Sequence, residues 1–283
     1  MSELTLAVTQ MECSWDLSAN LDNAERLIRE AAAQGAKLIL LQELFETPYF
    51  CAEQDFKHLA LARPFEGNEI VARFAALAAE LNVVLPISFF ERAQNTYYNS
   101  VAIADADGRV LGLYRKSHIP NGPGYQEKQY FAPGNTGFRV WDTAVGRIGV
   151  GICWDQWFPE CARVMALQGA EILLYPTAIG NEPHDPGLKS EDHWRCVICG
   201  HAGANLIPIM VSNRIGIEPW GGLDMTFYGG SFIAGDQGEV LAKMGSDPGI
   251  HTATVDLDAI RERRHSWGIF RDRVPQSYAE LTR

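Results

Sequence analysis

Residues 146–160, GRIGVGICWDQWFPE, set the architecture. Arg147 to Ile152 reads as one arm of a hairpin turning near Gly146, with Phe138 to Trp141 as the other arm, and it delivers Cys153 to the end of a buried strand. Gly149 and Gly151 let another backbone or side chain approach that strand closely. Trp154, Asp155, Gln156 and Trp157 form a turn, and from about Pro159 the spacing of Cys161, Val164, Met165 and Leu167 predicts a helix, with proline tolerated in the first turn. Strand, turn and helix in this order belong to a layered α/β protein.

The same grammar runs through the rest of the chain. Leu4 to Thr9 is a buried strand; Leu21, Ala24, Leu27, Ile28 and Ala31 then recur at helical spacing up to a stop at Gly35. Lys37 to Gln42 is a second buried strand with Glu43 at its carboxyl end. A helix carrying Ile70, Phe74, Leu77, Ala78 and Leu81 precedes the strand Val83 to Phe90. Tyr98 to Asp105 and Arg109 to Arg115 flank Ala106-Asp107-Gly108, a hairpin signal, and Lys116 follows the second arm. Hairpins interspersed with helix–strand units imply mixed sheets. No repeat, low-complexity tract or linker divides the chain, so one domain over residues 1–283 is expected.

Composition narrows the function. The 283 residues are 47% hydrophobic and include seven Trp, enough to build a sizeable core. The charge of −11 repels phosphate backbones and anionic lipid heads, which argues against nucleic acid or a membrane surface as partner. Neither a secretory leader nor a run long enough to span a bilayer is legible, and six dispersed cysteines fit reduced thiols, so a cytoplasmic setting is expected.

Three polar residues stand at strand ends, where α/β proteins place their chemistry: Glu43 in LILLQELFETPYF, Lys116 in LGLYRKSHIPNGPGY and Cys153. Each alone is readily a cap, a solvated strand end or a small core residue. Together they supply a nucleophile, a carboxylate to take its proton and an ammonium to meet an oxyanion. A nearby ammonium and a helix N-terminus would both lower the Cys153 thiol from its usual value of roughly 8.5.

In this order and with these flanks the three motifs resemble the nitrilase superfamily of carbon–nitrogen hydrolases, over essentially the whole chain to the tail SWGIFRDRVP. The resemblance implies a four-layer α-β-β-α sandwich. It also implies Cys153 as nucleophile, Glu43 as general base and Lys116 as stabiliser of the tetrahedral intermediate, with Glu127 in GPGYQEKQYF orienting the lysine and substrate. It implies no cofactor. It further implies a homo-oligomer, with the tail from about residue 260 to 283 at a subunit interface.

Within the superfamily, YPTAIGNEP, EDHWRCVICGHAGANLIPIMVSNRIG and RRHSWGIFRDRVPQSY are most similar to the branch that cleaves N-carbamoylputrescine. That substrate is a small cationic ureide whose distal ammonium needs a carboxylate or an aromatic face. Glu182 is the first candidate for the ammonium and Asp185 the second, with Tyr49 and Trp154 walling the aliphatic chain. The alternative is an N-carbamoyl amino acid or β-alanine ureide, whose carboxylate would call on Arg195 or Arg214. A remoter reading takes His193, Cys196, Cys199 and His201 as a zinc site, but their spacing does not share one helical face and no second CxxC accompanies them; a catalytically inactive scaffold is the other remote alternative. The pairs Gly122/Gly124 and Gly149/Gly151 lack the further glycine and acidic residue of a nucleotide fingerprint.

Overall fold

Alternation along the strands sorts the apolar residues between two interfaces, and the computed structural model, which describes residues 3–282, shows both. In β1 (Glu3–Gln10), Leu4, Leu6 and Val8 point to one face and Ala7 to the other. The first face meets a second sheet; the other is covered by α1 (Leu17–Ala33). Asp16 caps α1 by accepting from the Ala19 N–H at 3.0 Å. After it, β2 (Leu38–Leu40) runs parallel to β1.

α2 (Glu69–Leu81) lies beside α1, starting at the Asn68 cap and ending at Asn82 in the left-handed region. Next come β3 (Leu85–Ala93), β4 (Thr96–Ala104) and β5 (Val110–Arg115), an antiparallel meander. Val84 bridges to Leu38, and its N–H donates to the Lys37 carbonyl at 2.8 Å. This bridge joins two three-stranded pieces into one layer, β5-β4-β3-β2-β1 closed by β14 (Gly249–Asp256).

The second sheet contains β6 (Val140–Thr143), β7 (Gly146–Val150), β8 (Ile172–Pro176), β9 (Ile209–Ser212), β12 (Phe232–Ala234) and β13 (Val240–Lys243). β7, β8 and β9 are parallel neighbours and the rest antiparallel. α3 (Pro159–Leu167) and α4 (Ser190–Asn205) cover its outer face through Leu173, Tyr175, Ile209 and Val211, while Ile172 and Leu174 face inward. β10 (Ile215–Trp220) and β11 (Leu223–Tyr228) form a separate ribbon, and α5 (Leu257–Trp267) opens the tail.

The order helix, sheet, sheet, helix is the expected α-β-β-α sandwich with mixed sheets. Its apolar core lies in three layers, between the sheets and beneath the helices on either side. Burying one Leu, Ile or Val is worth about 1.5–3 kcal/mol, against roughly 0–1 kcal/mol for an exposed ion pair such as Arg29–Glu80.

One local departure from the sequence reading has a visible cause. β2 ends at Leu40, short of Gln42, because the Gln42 side chain pairs with the Met11 N–H and C=O, both at 2.9 Å, and the chain turns there. The expected turn after Cys153 is a 3-10 turn over Cys153–Trp157, and α3 begins at Pro159, where the helical spacing starts. Among the described residues no helix is long and apolar enough to cross a membrane.

Candidate active site

Glu43 sits in the turn after β2, Lys116 immediately after β5, Glu127 in the 3-10 turn Glu127–Gln129, and Cys153 three residues past β7. Strands from both sheets thus deliver their ends to one place. The approach of β7 depends on glycine: a Cβ on Gly151 would stand 2.7 Å from the Tyr175 ring and 3.0 Å from Cys161 Sγ. Cys153 has φ +44, a left-handed conformation unusual for a residue with a side chain, as in the strained elbows that present a nucleophile.

The Lys116 ammonium lies 2.8 Å from Glu43 Oε1 and 2.8 and 2.7 Å from the two Glu127 oxygens. Asn99 Nδ2 donates to Glu43 Oε1 at 2.6 Å, and the Tyr49 hydroxyl donates to Glu127 Oε1 at 2.6 Å. Glu43, Lys116, Glu127, Asn99 and Tyr49 are fully buried. Glu43 Oε2 is buried without a hydrogen-bond partner. A carboxylate with one oxygen saturated and the other bare presents a single basic site.

Two carboxylates thus share one buried ammonium. Burial pushes the Glu127 carboxyl up to about 7, against the pull of Lys116 and with the help of Glu43. For Lys116 burial works downward, but Glu127 and Glu43 outweigh it and hold the ammonium well above the ordinary lysine range.

The thiol overturns an expectation. Burial, then Glu43, push Cys153 well above the usual cysteine value, and Lys116 offsets only part of the rise. The anticipated help from a helix N-terminus is missing because α3 starts at Pro159 and only a 3-10 turn follows the cysteine. Cys153 therefore rests as a thiol, its Sγ 3.8 Å from the Ala178 carbonyl.

Residues for which the sequence suggested no such role hold this arrangement. Asp155, fully buried, accepts from the Ile152 N–H at 2.9 Å, the Tyr114 hydroxyl at 2.7 Å and the His118 N–H at 3.0 Å. His118 Nδ1 lies 2.7 Å from the same carboxylate, which can only accept, so the ring donates there. Asp155 thereby ties the segment before Cys153 to residues on both sides of Lys116. Arg214 donates to the Glu43 and Leu44 carbonyls at 3.1 and 2.9 Å and fixes the turn that carries the base.

A cavity of about 360 Å³ opens over Cys153 and Glu127. Trp154, 40% exposed, and Trp157 form part of its wall, and Glu182 and His184 stand on the loop side. Neither Lys nor Arg lines it. Burial pushes the Glu182 carboxyl upward while His184, 3.9 Å away, draws it back. A larger concavity, about 440 Å³ beside Trp15, His58 and Trp220, touches none of the strand-end residues.

The remaining candidates separate. Tyr49 lies behind the cavity on Glu127, not on the wall, and Asp185 is exposed and off the lining. Arg195 pairs with Asp192 and Glu191 on α4, and Arg214 is consumed by Glu218 and backbone carbonyls, so neither is available in the cavity for a substrate carboxylate. His201 bonds to the Gln156 carbonyl at 2.9 Å and His193 packs on Trp157. Among the described residues no three His, Cys, Asp or Glu side chains gather as a metal would require.

Comparison with known proteins places this geometry. The model of the carbon–nitrogen hydrolase family matches residues 5–265. An N-carbamoylputrescine amidase of Oryza sativa subsp. japonica is 57% identical, over 99% of this chain and 95% of the relative. A citrullinase of Francisella tularensis subsp. tularensis is 50% identical over 100% of this chain and 99% of the relative. The crystal structure of a carbon–nitrogen hydrolase from Helicobacter pylori G27 superposes with a TM-score of 0.93 at 39% identity, covering 99% of both chains. An amidase variant from Nesterenkonia sp. AN1, TM-score 0.74 at 26% identity over 93% of this chain and 95% of that one, shows covalent addition of the acetamide moiety of fluoroacetamide at its active-site cysteine. The chain belongs to the carbon–nitrogen hydrolase family of the nitrilase superfamily and is a hydrolase of carbon–nitrogen bonds other than peptide bonds.

Proposed function

We propose that the chain hydrolyses N-carbamoylputrescine to putrescine, carbon dioxide and ammonia, a step of polyamine formation, with Cys153, Glu43 and Lys116 as its catalytic groups. The observation that carries the substrate class is the lining of the cavity over Cys153: with Glu127 already taken by Lys116 and Tyr49, it offers the carboxylate of Glu182 and no Lys or Arg. A distal ammonium finds a carboxylate there, whereas a distal carboxylate finds no lysine or arginine. The name of the Oryza sativa relative supports the same substrate.

In this reading Cys153 Sγ attacks the ureido carbon as Glu43 Oε2 takes the thiol proton, since the raised thiol is not ionised beforehand. The carbonyl oxygen becomes an oxyanion. Lys116 meets it by releasing one of its paired contacts to Glu127, helped by an amide at the start of the 3-10 turn near Trp154, where N–H groups lack helical partners. Glu43 returns its proton to the departing putrescine nitrogen and the C–N bond breaks, leaving a carbamoyl thioester. Water that Glu43 deprotonates attacks the thioester, and the thiol departs. The released carbamic acid decomposes to carbon dioxide and ammonia, so water and the chain's own groups account for every proton. Glu127 keeps Lys116 in place, and Glu182 pairs with the far ammonium beside Trp154.

The whole chain acts as one carbon–nitrogen hydrolase domain in this reading. Reduced cysteines, all six unpaired among the described residues, suit a cytoplasmic setting, and exposed Trp267, Tyr278 and Leu281 suit a tail that meets a second subunit in a homo-oligomer. The test is ammonia release from N-carbamoylputrescine, citrulline and N-carbamoyl-β-alanine side by side. The expected kcat/KM favours N-carbamoylputrescine by about two orders of magnitude, the value of a buried charge pair of roughly 3 kcal/mol. Preference for citrulline would transfer the chain to the activity named for its bacterial relative; preference for the β-alanine ureide would overturn the cationic-substrate reading.

A further inference from the structure

The two oxygens of Glu43 are treated unequally, and the asymmetry has a structural source. Oε1 receives the Lys116 ammonium at 2.8 Å and the Asn99 amide at 2.6 Å, whereas Oε2 receives nothing. Lys116 alone would leave Glu43 free to rotate and share its oxygens. A second donor from a different strand fixes the carboxylate plane, and Asn99 is that donor, fully buried in β4.

Asn99 is also tied to Lys116 through its backbone. Its carbonyl accepts from the Lys116 N–H at 2.8 Å, so one residue holds the base with its side chain and the lysine with its main chain. The amide's other end gives nothing to the fold: Asn99 Oδ1 is buried and without a partner. An unpaired buried acceptor is a cost that a small hydroxyl or apolar residue would avoid, so the use of this side chain is its Nδ2. Its orientation is set by Glu43, because the flipped amide would press Oδ1 against Glu43 Oε1.

We propose that Asn99 is a positioning residue that selects Glu43 Oε2 as the proton-accepting oxygen. This rests on the reading of Glu43 as the general base. Without Asn99 Nδ2 the carboxylate keeps only the Lys116 ammonium as a donor and is free to turn its oxygens away from the thiol. Asn99 lies outside the cavity lining, so substrate binding should not feel the change directly.

The experiment measures kcat and KM for wild type, Asn99→Ala, Asn99→Asp and Glu43→Gln, with ammonia release from the preferred ureide. For Asn99→Ala the expected kcat falls by about tenfold with KM unchanged. Asn99→Asp keeps the shape, replaces the donor by a further carboxylate and should lower kcat more. Glu43→Gln should lose roughly 10³-fold or more in kcat. A Glu43→Gln variant at the wild-type rate would remove the base reading itself. A disabled Glu43→Gln beside Asn99 variants whose kcat stays within about twofold of wild type, or whose KM rises as kcat falls, would overturn the role of Asn99 alone. Should Asn99→Asp fail to fold, Asn99→Ala decides by the same split of kcat from KM, and should both fail, Asn99→Leu keeps the volume without a donor and decides in the same way.

Discussion

The bond-breaking end of the cavity and its substrate-selecting end are built in opposite ways. Around Cys153 the groups are fully buried, stand on the ends of strands from two sheets and carry several hydrogen bonds each. Around Glu182 the chain is a loop between β8 and α4, half-exposed, whose local bonds are short-range turns such as the Asp185 N–H to the Glu182 carbonyl at 3.0 Å. Chemistry demands fixed distances between reacting atoms, so it rests on the sandwich. Choice among ureides demands one charge in the right place, and a loop can change that charge while the sheets stay as they are.

The largest effect should come from breaking the buried end at its base. If the Cys153 thiol rests protonated, its alkylation by iodoacetamide depends on Glu43. In wild type the alkylation rate should be nearly flat from pH 6.5 to 8.5, while in Glu43→Gln it should rise about tenfold per pH unit, following the free thiolate. Turnover in the same variant should fall by roughly 10³-fold or more, in keeping with the loss of a general base. A pH-independent, wild-type alkylation rate in Glu43→Gln would mean that a thiolate exists without the base, contrary to the upward push of burial on this thiol.

A second test loosens the buried end without touching a reacting group. Asp155→Asn keeps the volume but turns a donor toward groups that already donate, at Ile152 and Tyr114 or at His118. The loss expected is on the order of 3 kcal/mol in unfolding free energy, read by urea denaturation. The expected fall in kcat is about 10²-fold from displacement of Cys153 against Lys116, with KM little changed. A variant that is destabilised yet keeps full kcat would show that Asp155 serves the fold only.

The same contrast explains what could be read from the sequence. Glu43, Lys116 and Cys153 were legible because each interrupts an apolar run at a strand end. The strands and helices were legible because each run is the length of a strand or repeats at helical spacing, whereas their stacking in four layers came from the family resemblance. The supporting roles of Asp155, Asn99 and Arg214 were not, because most of their partners lie far away in the chain, up to 171 residues for Arg214 and Glu43. Tyr49 looked like a wall and proved to be a donor to Glu127, 78 residues away, for the same reason. The state of the thiol departs from expectation because the ammonium beside it is visible in sequence, whereas the burial that pushes it up most is not.

The mildest changes belong to the selecting end, and they separate the two acidic residues of its loop. Glu182 lines the cavity and Asp185 does not, although three positions apart they looked nearly interchangeable. Glu182→Gln should raise KM for N-carbamoylputrescine by roughly 10- to 100-fold, the worth of a hydrogen-bonded charge pair of about 1.5–3 kcal/mol, with kcat within about threefold. Asp185→Asn should leave both constants within about twofold, as for an exposed charge. Butylurea, which has the same chain without the ammonium, provides the control: Glu182→Gln should not weaken its hydrolysis. If Glu182→Gln slows both ureides alike, the residue shapes the loop and the ammonium is held elsewhere. If Asp185→Asn carries the KM effect instead, the loop must close over the substrate and turn Asp185 inward, and the selecting end would be more mobile than its resting geometry.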